Sequence, residues 1–76
     1  MITVKLFGLL RLDSGIRERE LEATTMGEVR LHLIAAGIRE KDLDGCVILI
    51  NGKSGNRRSK LTDGDTVVLM SPVAGG

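Results

Sequence analysis

Aromatic side chains are almost absent. Phe7 is the single one in 76 residues, with no Tyr and no Trp. Single-stranded nucleic acid is held on stacked aromatic platforms, and many protein interfaces are anchored on Tyr and Trp; this chain is built for neither. Cysteine is as scarce. Cys46 stands alone, so no internal disulfide forms. One Cys and one His cannot supply the four ligands of a structural zinc site. No sign of charge dominates: eleven Lys and Arg oppose ten Asp and Glu, for a net charge of +1. A nucleic-acid-binding domain carries a clear cationic excess. No apolar run approaches the ~18 residues of a membrane span. The opening Met1-Ile2-Thr3-Val4-Lys5-Leu6 is too short and too alternating for a secretory signal. A single free thiol without such a signal points to the reducing cytoplasm. The expected partners are therefore neither nucleic acid nor membrane.

What is present is a balanced composition, 42% apolar and 28% charged, as a folded domain requires. A chain of this length makes one domain and buries only about 60% of its unfolded surface. That leaves little room for a cleft with several converging catalytic side chains.

Residues 2–7 alternate, with Ile2, Val4 and Leu6 on one face and Thr3, Lys5 and Phe7 on the other, the period of a strand. Gly8 to Gly15 reads as a turn region. Ile16 to Glu22 carries charge on both faces through Arg17-Glu18-Arg19-Glu20, which suits an edge strand hairpinned with the first. Thr25 followed three residues later by Glu28 is a capping-box pattern. Met26, Val29, Leu33 and Ala36 then recur at helical spacing up to Gly37, so the pattern predicts a helix over about 25–36. Residues 38–44 are mixed and leave room for one short helical turn. Cys46 to Ile50 is an apolar strand ended by Asn51-Gly52. Residues 52–60 are polar and loop-like, with room for a short strand. Leu61-Thr62-Asp63-Gly64-Asp65 forms a turn into a last strand, Thr66 to Met70.

One helix covers one face of a sheet. The first, third and last strands are the most apolar and should be central. Val68 and Met70 must then point opposite to Val67 and Leu69, and Val47 and Leu49 opposite to Ile48 and Ile50. Apolar surface left on the uncovered face marks a partner site.

The tail is the most unusual segment. Ser71-Pro72-Val73-Ala74-Gly75-Gly76 has no charged side chain and ends in two glycines. Pro72 has no N–H to give to a ladder, so pairing should stop near it. Ala74, Gly75 and Gly76 are slim enough to thread a narrow channel and present a carboxylate inside another protein. Read alone, such a tail is more often an ordinary frayed terminus.

Other candidate motifs favour the plainer reading. Gly52-Lys53-Ser54 looks like the end of a phosphate-binding loop, but Val47 stands where that motif needs its first Gly. Lys53, Arg57, Arg58 and Lys60 form a basic cluster that reads first as a solvated loop and second as a steering patch. His32 has no partner at helical spacing. Cys46 opens an apolar strand and reads as an inert thiol.

The whole arrangement resembles the ubiquitin-like β-grasp fold and, within it, the sulfur carriers of which the small subunit of molybdopterin synthase is one. Val4-Lys5-Leu6-Phe7-Gly8-Leu9-Leu10-Arg11, Leu61-Thr62-Asp63-Gly64-Asp65-Thr66-Val67 and Pro72-Val73-Ala74-Gly75-Gly76 carry the resemblance. Where family members often place aromatics before the tail, this chain has Leu69-Met70-Ser71. The resemblance implies an α+β domain over residues 1–71, with a mixed four- to five-stranded sheet and one main helix on one face. A flexible Gly-Gly tail over 72–76 would follow. It implies that Gly76 is adenylated with ATP by a partner similar to ubiquitin-activating enzymes. A sulfur donor protein would convert it to a thiocarboxylate, and the large subunit of molybdopterin synthase would use that sulfur in making molybdopterin, the branch that the opening motif and Pro72-Val73 favour over the thiamine one. No permanently bound cofactor is implied. The chain would be a sulfur-donating subunit, with catalytic groups residing elsewhere. Gly75, Ala74, Val73, Pro72, Met70 and Phe7 are the implied partner-binding residues. Thiamine or other thio-metabolite delivery, a protein modifier joined through Gly76, and a plain interaction module remain as alternatives.

Overall fold

The computed structural model describes residues 1–71. The elements run β1 (Ile2–Phe7), α1 (Leu9–Ser14), β2 (Glu18–Leu21), α2 (Met26–Ala35), α3 (Glu40–Asp44), β3 (Val47–Ile50), β4 (Lys53–Ser54) and β5 (Thr66–Met70). The five strands form one mixed sheet in the order β2-β1-β5-β3-β4. β1 pairs antiparallel with β2 and parallel with β5, and β5 pairs antiparallel with β3. The three apolar strands are central, as their composition requires. This is the ubiquitin-like β-grasp fold.

The core lies on one side of the sheet. Ile2, Val4 and Leu6 of β1 and Val67 and Leu69 of β5 meet Met26, Val29 and Leu33 of α2, all nearly or wholly buried. Period two on the strands and three-to-four on the helix send these residues to one layer. Both ends of α2 are fixed by local chemistry. Thr25 Oγ1 accepts from the Glu28 N–H at 3.2 Å. The Glu28 carboxylate reaches back to the Thr24 N–H at 2.9 Å and the Thr24 hydroxyl at 2.7 Å. The capping box therefore closes one residue earlier than its sequence form implies. At the other end Gly37 adopts φ 104. Its N–H bonds the Ile34 carbonyl, and the Ile38 N–H bonds that of Leu33. This is a Schellman stop, with buried Ile38 packed near buried Leu33.

Asn51 and Gly52 take φ 51 and 82, the double left-handed turn that joins a tight hairpin, and β4 follows directly. The motif at 61–65 is a knot of hydrogen bonds. The Asp65 carboxylate accepts from the Thr62 N–H and from the Asn51 side-chain amide, both at 2.8 Å. The Asn51 side-chain Oδ1 in turn accepts from the Thr66 N–H at 2.9 Å.

One sequence expectation is corrected. Gly8 to Gly15 is not a plain turn region: residues 9–14 form α1, between a Gly8 at φ 69 and a Gly15 at φ 74. Leu10 drives it, buried to 2% exposure in the core. Gly8 has no side chain to cap the helix, and the cap comes from elsewhere in the chain, as described below.

Candidate functional site

Among the described residues no helix covers the face of the sheet away from α2. Alternation puts Phe7 on it from β1, Met70 from β5 and Val47 from β3. The strand register sets the three side by side, Phe7 opposite Met70 and Met70 opposite Val47. Phe7 and Met70 are each 40% exposed and Val47 51%. Neighbouring strands lie about 4.8 Å apart, so these side chains form one continuous apolar row. The next row, Lys5–Val68–Leu49, is only half-buried. The apolar row therefore lies at one end of the sheet, where β5 finishes.

Ser71 follows at once and is the last described residue. It is buried, at 9% exposure. Its hydroxyl accepts from the Leu9 N–H at 2.6 Å and from the Leu10 N–H at 3.3 Å. These are the first amides of α1, the groups an N-cap side chain ordinarily satisfies. Gly8, which holds the cap position, leaves space for this. A Cβ there would sit 2.7 Å from Ser71 Oγ and 2.9 Å from the Ser71 carbonyl oxygen. The root of the tail is thus locked to the end of β1. Beside it α1 exposes Leu9 (41%) and Leu12 (76%).

Of the residues singled out in the sequence, the structure brings Phe7 and Met70 into direct register. Pro72, Val73, Ala74, Gly75 and Gly76 lie outside the described residues. Val47 and Ser71 were not among the site candidates. Val47 was legible from its alternation with Ile48. Ser71 carried no local signal, since its partners lie 62 and 61 positions away.

The other candidates fall into structural roles. Cys46 is half-buried, and its thiol donates to the Leu43 carbonyl at 3.0 Å. Burial pushes the thiol pKa above its ordinary value, which disfavours the reactive thiolate. One ring nitrogen of His32 rests 3.1 Å from the Glu22 carbonyl oxygen. The Gly52-Lys53-Ser54 triplet is a hairpin turn and strand, with no helix after it to receive phosphate. The basic loop is ordered by its own bonds. The Arg58 N–H donates to Asn56 Oδ1 at 2.7 Å and the Asn56 N–H to Ser59 Oγ at 3.0 Å. Arg57 lies 3.8 Å from Asp44. Gly55 lets this loop press on the sheet, since a Cβ would sit 2.6 Å from Ile50 Cδ1. Among the described residues no cluster of His, Cys, Asp or Glu can hold a metal. No helix among them is long and apolar enough to cross a membrane.

Among the described residues the site therefore has the features of a docking surface. A family model, that of the ThiS family, matches residues 4–76. The chain belongs to the ThiS family of ubiquitin-like sulfur carriers. No curated protein matches it in sequence. Among solved structures, this ThiS-family chain is similar to a protein in the complex of subunits 1 and 2 of the molybdopterin-converting factor from Helicobacter pylori 26695. The two share 28% identity over 99% of this chain and 97% of that one, with a TM-score of 0.74. Small archaeal modifier protein 1 from Methanosarcina acetivorans shares 28% identity over 99% and 95%, with a TM-score of 0.77. A chain of the BexX/CysO complex from Amycolatopsis orientalis shares 25% identity over the full length of both, with a TM-score of 0.70.

Proposed function

We propose that this chain carries sulfur on the carboxylate of Gly76 and delivers it in the synthesis of molybdopterin. A carboxylate is a poor acyl electrophile. An ATP-using adenylyltransferase would convert it to a mixed anhydride with AMP, releasing pyrophosphate. The terminal sulfur of a donor protein's persulfide would then attack the acyl carbon, forming a carbon–sulfur bond as the bond to AMP breaks. A thiol reductant would cleave the resulting acyl disulfide to release the thiocarboxylate. The thiocarboxylate is a softer and stronger nucleophile than the carboxylate it replaces. A synthase large subunit would supply the acid–base groups, while this chain supplies the reacting atom and the surface that docks it. ATP enters only through the activating partner.

The observation that carries this reading is the apolar row Phe7–Met70–Val47 at the end of β5. It leads directly into the locked Ser71 and so toward the Gly-Gly tail. A partner that grips the row also meets Ser71, the residue from which the tail begins. The 28% likeness to a molybdopterin-converting-factor structure favours that pathway. The equal likeness to an archaeal modifier protein supports a second reading, in which Gly76 forms an isopeptide bond with lysines of other proteins.

Intact-mass analysis of the protein purified from its native cells separates the two. Replacement of one terminal oxygen by sulfur supports the carrier, and branched adducts support the modifier. Deleting Gly76 should abolish AMP-ester formation while leaving the fold intact. Normal adenylation of the truncated chain would overturn both readings.

A further inference from the structure

Beside the apolar row lies a groove of about 320 Å³ lined by Lys5, Leu6, Phe7, Arg11, Arg17 and Glu18. Lys5 and Phe7 reach it from the open face of β1. Arg17 is held at its rim by a backbone bond, its carbonyl oxygen accepting from the Leu6 N–H at 2.9 Å. Arg11 comes from α1. Three cations thus surround one apolar floor, with Glu18 the sole acid, across the strand pair from Lys5. Elsewhere Arg30 pairs with Glu40 and Asp44, Arg39 with Asp13 and Asp42, and Arg57 with Asp44, while Arg19 and Arg58 stand apart from one another and from the groove's lining. Among the described residues no carboxylate lies within 4.0 Å of the charged groups of Lys5, Arg11 or Arg17. In a chain whose net charge is only +1, three cations against one carboxylate make a local excess of positive charge. It shares Phe7 with the docking row.

We propose that this groove receives an acidic segment of the partner protein that docks on the Phe7–Met70 row. The inference rests on the proposed function and adds the chemistry of the partner's contact surface. Charges at the rim of an apolar patch mainly speed and orient association, because the long-range attraction acts before the apolar surfaces meet. The groove is a poor fit for nucleic acid, since Phe7 is its single stacking surface. The acidic segment would align the partner with β1, and that alignment would bring the tail root to the partner's site in one orientation.

The test measures association of the intact chain with the synthase large subunit from the same genome, by stopped-flow or surface plasmon resonance at low and raised salt. Circular dichroism checks that each variant is folded. The wild-type association rate should fall as salt screens the groove. The triple variant Lys5→Glu, Arg11→Glu, Arg17→Glu should associate about tenfold more slowly with a similar dissociation rate, and its salt dependence should flatten or reverse. The same loss is expected in a chain ending at Ser71, since the occupant is the partner and not the chain's own terminal carboxylate. Equal rates for wild type and triple variant, or a charge effect that vanishes when residues 72–76 are removed, would overturn the inference. If the wild-type chain binds no large subunit, the proposed function fails and takes this inference with it. If wild type binds and charge reversal changes nothing, the groove assignment alone fails.

Discussion

The hydroxyl of Ser71 accepts the Leu9 amide at 2.6 Å, joining the residue that precedes the tail to the first turn of a helix 62 positions earlier. The bond does two things at once. It satisfies the opening amides of a helix whose own cap position, Gly8, offers no side-chain acceptor. It also pins the point from which residues 72–76 depart.

Ser71→Ala should therefore leave the Leu9 and Leu10 amides without their acceptor and cost about 1 kcal/mol, the usual worth of a cap. In a domain of this size that is a fall in melting temperature of about 4–8 °C. Gly8→Ala should cost more, because it adds a Cβ at φ 69 that meets Ser71 Oγ at 2.7 Å. The two losses should not add in the double variant, since both act on one contact. Thermal unfolding followed by circular dichroism measures all three, and an unchanged melting temperature for Ser71→Ala would show that the cap contributes nothing.

Met70→Glu and Phe7→Glu should each weaken binding to a large subunit by about tenfold or more, because each buries a charge at the centre of an apolar contact. Both side chains are 40% exposed, so the melting temperature should move little. Titration calorimetry against the subunit decides it, and undiminished affinity would remove the row from the interface.

Acid should weaken the fold through two carboxylates. The Thr24 hydroxyl, with backbone bonds behind it, holds Glu28 below its ordinary 4.5. The Thr62 amide, with the Asn51 side chain second, holds Asp65 below its ordinary 3.8. Both groups are depressed in the folded state, so their contribution is present above these ordinary values. It is lost as pH falls through the lower folded-state values. Glu28→Gln with Asp65→Asn should flatten the decline of melting temperature below pH 4.5. A decline as steep as that of wild type would contradict this assignment. Both side chains are exposed to solvent, so the effect should be modest.

Cys46 should react more slowly with iodoacetamide at neutral pH than it does in the unfolded chain, since burial disfavours its thiolate. Cys46→Ala should form thiocarboxylate at the wild-type rate. A Cys46→Ala chain that could no longer be loaded with sulfur would place the thiol in the reaction.

The strands and α2 were legible because their signals are local: alternation over 2–7 and 66–70, the Thr25–Glu28 pair, and Gly37 at the helix end. The uncovered face followed from the same alternation, and Met70 and Phe7 with it. Two features escaped because their causes are distant in sequence. α1 spans six residues and takes its cap from Ser71, so nothing within residues 8–15 announces it. The cationic groove assembles Lys5, Arg11 and Arg17 from two strand regions and a helix. In the sequence their charges are diluted among acidic neighbours such as Asp13, Glu18 and Glu20. The basic run at 53–60 drew attention instead because it is contiguous.

The seat of β5 between β1 and β3 has a consequence for biosynthesis on the ribosome. The strand translated last among those described is the one that joins the two halves of the sheet. Until it emerges, β1 and β3 have no common neighbour and Phe7 has no Met70 beside it. A nascent chain whose β5 has not emerged therefore lacks the Phe7–Met70–Val47 row.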